Sequence, residues 1–252
     1  MSSTSTKASD GRSVLQLPLE EGLTCLRGLS PRRLRFEVEY ALERGSCHNS
    51  FLFNSNDPGK PAVLVHPPGA TFTEPFLEAL EQLVPLQQQL QVIQGNVNPN
   101  RVALLHALVR QRPELELVSS NAGAKLLQEL WSRQKPGSDE PAPPAMPKLT
   151  VVRQEQSLPL PNGDEMQVLP VPTPRWPGGL VAFLPSNGLL MSGRFFAAHL
   201  CTDTYAEANR SSTEEDRRYF YDCLMAPMAS QVEAVVSRLE ELPIRSLSLI
   251  HI

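Results

Sequence analysis

Val92-Ile93-Gln94-Gly95-Asn96-Val97-Asn98-Pro99-Asn100-Arg101-Val102-Ala103-Leu104-Leu105 is the stretch on which the fold turns. Its β-branched start reads as the end of a strand, the polar middle as a turn, and the apolar residues from Val102 onward recur at helical spacing. Strand-to-helix turns open at the edge of a sheet, where α/β folds usually keep their chemistry. Asn96, Asn98, Asn100 and Arg101 occupy alternate and adjacent turn positions that in many metal enzymes carry imidazoles and carboxylates. Amide oxygens are neutral, weak donors and a guanidinium is a fixed cation, so none of the four suits iron or zinc. A plainer reading stands beside this one, because Asn tolerates left-handed dihedrals and caps helix N-termini through its side-chain oxygen.

The chain of 252 residues, with 41% hydrophobic content, can bury one sizeable core. Its net charge of −4 argues against a nucleic-acid surface, which normally shows a basic excess. No apolar run approaches the roughly 20 residues that cross a bilayer. Cys25, Cys47, Cys201 and Cys223 are scattered, with neither CxxC nor zinc-knuckle spacing, which fits reduced, mostly structural thiols. Met1 to Arg12 is small, polar and flexible; it reads as a disordered terminus, with the remnant of an organelle transit peptide as the alternative. The expected organisation is a flexible arm over residues 1–30 and one domain over residues 31–252.

Leu34 to Val38 alternates apolar and charged residues, the period of a strand wet on one face. Ser50–Phe53 and Ala62–Val65 supply two further strands around the turn Asn54 to Gly59. After Pro67-Pro68-Gly69, Glu74–Val84 carries a single apolar stripe and predicts a helix. Leu90–Ile93 predicts a strand, Val102–Val109 a helix, Leu115–Val118 a strand and Ala122–Trp131 a helix, which together make a βαβ pattern. The proline-rich run Gln134–Pro147 cannot hold regular hydrogen bonding and reads as a surface linker. Beyond it, Leu149–Val152, Met166–Pro170, Leu180–Leu184 and Leu189–Met191 read as an antiparallel run punctuated by Asn-Gly turns. A long helix from Glu214 to Leu242 follows, with Ser212 as its cap and a kink at Pro227. Ile244–Ile252 reads as a last strand. Strands and helices in this order predict an α/β chain, an αβ/βα four-layer sandwich.

Several stretches together carry a family likeness. Leu34 to Gly45 followed by Asn49-Ser50-Phe51-Leu52, His66-Pro67-Pro68-Gly69, Asn98-Pro99-Asn100-Arg101, Pro174-Arg175-Trp176-Pro177 and Ser192 to His199 occur in the order found in the metallo-β-lactamase-like domain of flavodiiron proteins. The chain resembles the forms from oxygenic photosynthetic organisms, from about residue 30 onward. The resemblance implies a sandwich that holds two irons and reduces oxygen to water with electrons from flavin. It also implies a flavodoxin-like domain binding FMN and a flavin-reductase-like module, both beyond residue 252.

The family draws its iron ligands from a His-x-Glu-x-Asp-His turn, a His before Trp-Pro, an Asp shortly after a Ser, and a last His in a His-Gly loop. Aligned on those landmarks, Asn96 stands where the first His is expected, Asn98 at the Glu, Asn100 at the Asp and Arg101 at the next His. Arg175 precedes Trp176-Pro177 where another His is expected, and Arg194 falls at the bridging Asp. His251 lies near the distance of the final ligand but lacks its flanking glycine. Two iron ions need anionic oxygens and neutral imidazoles, whereas three converging arginines repel cations and present hydrogen-bond donors. The expectation is a basic pocket without metal, suited to chloride, phosphate or a carboxylate.

His48, His66, His106 and His199 share no ligand spacing and read as turn or packing residues. Trp131 and Trp176 read as packing residues. By resemblance the whole protein passes electrons from NAD(P)H or ferredoxin through flavin to oxygen in photosynthetic cells, in the chloroplast stroma or in a cyanobacterial cytoplasm. The subunits of the family meet head to tail. A ligand-poor chain therefore suits either an inactive fragment of the oxidoreductase or a non-catalytic partner within a homo- or hetero-oligomer whose other subunit is ligand-complete. A divergent hydrolase of the same fold is a third reading, which the missing HxHxDH disfavours.

Overall fold

Along Ala62–Val65, Leu64 faces one side and Val63 and Val65 the other, and both sides are buried. That split recurs at Leu52 against Phe51 and Phe53, Val92 against Ile93, and Leu117 against Val118, so the strands form the inner layer of a stack. A computed structural model describes residues 4–32, 45–133, 141–173, 175–198, 200–203 and 213–249. The strand expected at Leu34–Val38 and the Ser212 cap lie outside these residues, as do Pro174, His199 and His251.

The first sheet runs in chain order: β1 (Thr4–Lys7), β2 (Ser13–Glu20), β3 (Leu23–Ser30), β4 (Ser46–Phe53), β5 (Ala62–Val65), β6 (Leu90–Gln94), β7 (Glu116–Ser120) and β8 (Lys148–Val152). It is antiparallel from β1 to β5 and parallel from β5 to β8. The parallel half follows from the helices that connect its strands: α1 (Thr73–Leu83), α2 (Pro99–Gln111) and α3 (Asn121–Trp131). These helices bury Phe76, Leu80, Leu104, Leu108 and Leu127 against one face of the sheet. On the other face lies the second sheet, in the order β13 (Ser246–Leu249), β12 (Leu189–Gly193), β11 (Leu180–Leu184), β10 (Glu165–Pro170) and β9 (Gln156–Pro159). Met166, Val168, Leu180, Ala182 and Met191 fill the space between the sheets, and Val181, Phe183 and Leu190 face outward onto α4 (Glu214–Leu224) and α5 (Ala229–Glu240). Helix, sheet, sheet and helix are thus the four layers of the expected sandwich.

The structure corrects four readings. Residues 4–30, expected as a flexible arm, form β1 to β3 and belong to the first sheet. Their pattern is hard to read because the helix-facing side is partly polar. The buried Thr6 hydroxyl donates to the Pro75 carbonyl at 2.7 Å, and Gln16 Nε2 donates to Gln82 Oε1 at 2.6 Å. Leu149–Val152, read with the antiparallel run, instead pairs parallel with β7 in the first sheet, and Gln156–Pro159 is the edge strand beside β10. The long helix divides into α4 and α5 around a 3-10 turn at Ala226–Met228, because Pro227 has no N–H to donate and crowds the preceding turn. The final strand is parallel to β12, so the second sheet is mixed rather than wholly antiparallel.

The β1–β3 correction is directly testable. Helix α1 lies against all three strands, so deleting residues 1–30 uncovers its buried Phe76 and the apolar side of β4. The expected outcome is loss of the cooperative unfolding transition by circular dichroism. A truncated chain melting at the midpoint of the full one would mark these residues as an appendage.

Candidate functional site

Loops after β5, β6 and β12 meet at the C-terminal ends of the parallel strands, the edge where open α/β sheets place ligands. His66 leaves β5 in the left-handed region, at φ 56°, with its N–H donating to Ile93 at 2.9 Å. Its ring crosses to the second sheet, where Nε2 lies 3.2 Å from the Met191 carbonyl. A carbonyl only accepts, so Nε2 carries the proton and the buried Nδ1 has no partner among the described residues. Gly95 makes room for that ring, since a β-carbon there would lie 2.3 Å from His66 Cε1 and 2.3 Å from the Leu180 carbonyl oxygen.

The carbonyl of His66 accepts from His48 Nε2 at 2.7 Å and from the Ser50 hydroxyl at 2.9 Å. His48 is therefore protonated on Nε2, and its Nδ1 faces Arg101 Nη2 at 3.4 Å. Arg101, only 1% exposed, also donates from Nη1 to the Pro67 carbonyl. Burial, then the Arg101 charge, drives the His48 pKa well below its usual value; His66 and Arg194 act in the same direction, against the hydrogen bond to the His66 carbonyl. Burial likewise takes His66 down to about 4, with the Met191 hydrogen bond opposing it and Arg101 assisting.

The sequence-selected residues divide into two sets. Asn98 is the N-cap of α2 and accepts from the Arg101 N–H at 2.9 Å; Asn100 Oδ1 accepts from the Ala70 N–H at 3.1 Å. Those two Asn side chains serve backbone groups. Asn96 and Arg194 instead line one small cavity, of about 20 Å³, together with Ser192 and Trp176. The Arg194 guanidinium lies 5.4 Å from the Trp176 ring centre and that of the exposed Arg175 lies 5.9 Å from it. Trp176 packs on Phe220, the rings 6.4 Å apart and nearly parallel. Asn96 is 6% exposed and its Nδ2 has no partner among the described residues. Arg101 joins this group through His48, whose charge balance both it and Arg194 affect.

The cavity lining holds no carboxylate among the described residues. Among the described residues, no three His, Cys, Asp or Glu side chains are grouped as a metal site would need. With two uncharged imidazoles, amides and guanidinium groups, the donor set does not fit two irons. A volume of this size admits a single water-sized species and is too small for phosphate. His48 and His66, read from sequence as packing residues, belong to the site. The signal available for them was position: the register of β4 and the His-Pro-Pro turn put both at one strand edge, although no linear ligand spacing relates them.

The two histidines set a pH dependence. In the unfolded chain each titrates near 6.5, roughly, and in the fold each is held lower, so the unfolded state binds more protons as pH falls. Stability from these rings is complete above that pH and drains away below it. For His66 the loss amounts to roughly 3 kcal/mol between about pH 6.5 and pH 4. The urea midpoint is expected to be level above pH 7 and to fall through this window. His66→Asn, which the left-handed backbone tolerates, is expected to flatten the fall by about half. A wild-type midpoint independent of pH would show that the rings are not shielded.

No protein-family model matches the chain. Diflavin flavoprotein A 6 of Nostoc sp. is 38% identical over 234 residues, which cover 93% of this chain and 38% of that protein. The chain thus spans about two fifths of the length of the curated relatives it matches. Among solved structures, the fragment 1–254 of diflavin flavoprotein A 5 from Nostoc sp. matches with a TM-score of 0.82 at 34% identity, over 95% of this chain and 89% of that one. The metal-soaked flavodiiron core from Synechocystis sp. matches with a TM-score of 0.85 at 32% identity, over 95% of this chain and 56% of that one. The chain therefore belongs to the flavodiiron family of diflavin flavoproteins and corresponds to the N-terminal metallo-β-lactamase-like core of its members.

Proposed function

We propose that this chain serves a flavodiiron-type oxidoreductase as the subunit that does not itself reduce oxygen. In this reading the complete assembly passes electrons from NAD(P)H or ferredoxin through FMN to oxygen in photoprotective electron transport, in a chloroplast stroma or a cyanobacterial cytoplasm. Asn96, Asn98, Asn100, Arg101, Arg175 and Arg194 stand at the positions where the family likeness places ligands. The observation that carries the reading is the Arg101 guanidinium, which lies buried against the Pro67 carbonyl and His48 at the sheet edge that also carries the small cavity. A permanent cation there opposes a second one by Coulomb repulsion that burial strengthens. The pocket suits a small anion such as chloride, held by Asn96 Nδ2 and the Arg194 charge.

What such a core retains is its shape, and with it the surface by which a ligand-complete subunit can assemble. The test uses the full-length protein, alone and mixed with a ligand-complete flavodiiron subunit. Alone, it is expected to carry iron far below one ion per chain and to show no oxygen-dependent NAD(P)H oxidation. On mixing, the two are expected to co-elute and to turn over. Near-stoichiometric iron with turnover by the chain alone would overturn the proposal and make it an ordinary oxidoreductase.

A further inference from the structure

The segment Leu200–Asp203 is fastened to β3 and β4 at three successive residues. The Cys47 thiol donates to the Leu200 carbonyl at 3.2 Å. The side chain of Cys201 lies against the Ser30 backbone and within electrostatic range of Cys47. Arg27, wholly buried, donates from Nε to the Thr202 carbonyl at 3.0 Å and from Nη2 to the Thr202 hydroxyl at 2.8 Å. Arg27 is itself held from the other side by Asn49 Oδ1, 2.7 Å from Nη1. In the β3–β4 register Ser30 pairs with Ser46 and Leu29 with Cys47, so Cys201, against Ser30, sits one rung from Cys47. Gly45 permits the approach: a β-carbon there would lie 3.0 Å from Cys201 Cβ.

We propose that Cys47 and Cys201 are a reversible disulfide site, oxidised by a hydroperoxide, that ties the segment after Arg194 covalently to β4. Cys201 is the half-buried, reachable member and Cys47 the fully buried one that resolves it. The peroxide transfers one oxygen to the Cys201 sulfur, giving a sulfenic acid and releasing water or alcohol. The Cys47 sulfur then displaces hydroxide, forming the S–S bond, and the thiol proton leaves with it as a second water. Two thiols are oxidised by two electrons and one peroxide O–O bond is reduced, so the step balances. Burial pushes the Cys201 thiol up to about 11, so little thiolate is present at neutral pH and the reaction is slow. The site thus answers sustained peroxide rather than a brief pulse. Cys25 is not the resolving thiol, because its side chain is sunk in the core between the sheets.

The test treats the full chain with hydrogen peroxide, blocks remaining thiols with iodoacetamide under denaturing conditions, and maps the peptides by mass spectrometry. Most of the Cys201 is expected in a Cys47–Cys201 linkage that dithiothreitol reverses. The oxidised chain is expected to melt about 5–10 °C higher than the reduced one, a rise absent from Cys201→Ser. The map of the wild-type chain decides the matter even where Cys47→Ser fails to fold. Cys201 recovered unmodified, as sulfinic or sulfonic acid, or linked to any other cysteine, with Cys47 alkylated, would overturn the proposal.

Discussion

The guanidinium of Arg101 under the His66-Pro67 turn is the contact on which the character of the pocket depends. A buried cation is tolerated only when its donors are satisfied, since desolvation costs several kcal/mol. Its partners among the described residues include the Pro67 carbonyl and the unprotonated nitrogen of His48. The His48 ring is in turn oriented by the His66 carbonyl, which Ser50 also holds. A chain of neutral acceptors thus leads from the helix layer to the edge of both sheets. The first turn of α2 places a buried guanidinium at the edge of the sheets, beside two imidazoles.

The same edge fastens the two sheets together. His66 reaches Met191 across the interface, Leu180 N–H donates to the Gly95 carbonyl at 3.3 Å, and Ser120 donates to the Gly178 carbonyl at 3.0 Å. Gly95 and Gly178 are required by close approach: a β-carbon on Gly178 would lie 2.7 Å from Gly123 Cα. The pocket is therefore a rigid seam in the scaffold.

Much of the fold was legible in the residues. Leu180–Leu184 and Ala62–Val65 were marked by short apolar runs between turns, and the helical stripe of α1 and the βαβ alternation were equally plain. β2 escaped because its buried face carries Gln16, whose partner Gln82 lies on α1, far along the chain. At the site, Asn96 and Arg101 stood out in the polar turn, and Arg194 came to notice only through the family likeness. His48 did neither, because its role is set by a tertiary contact to Arg101 that no linear spacing encodes. Asn98 and Asn100 show the limit of pattern reading: both lie in the conspicuous turn, yet their observed contacts are caps of backbone N–H groups.

The central claim is that Arg101 and its neighbours make the pocket inhospitable to iron. Anomalous diffraction at the iron edge, from crystals of the chain equilibrated anaerobically with ferrous iron, tests it most directly. The account predicts no anomalous peak among Asn96, His48, His66 and Arg194, with the Arg101 guanidinium still bonded to the Pro67 carbonyl. A peak at coordination distance from His48 and His66, with Arg101 swung away, would contradict it.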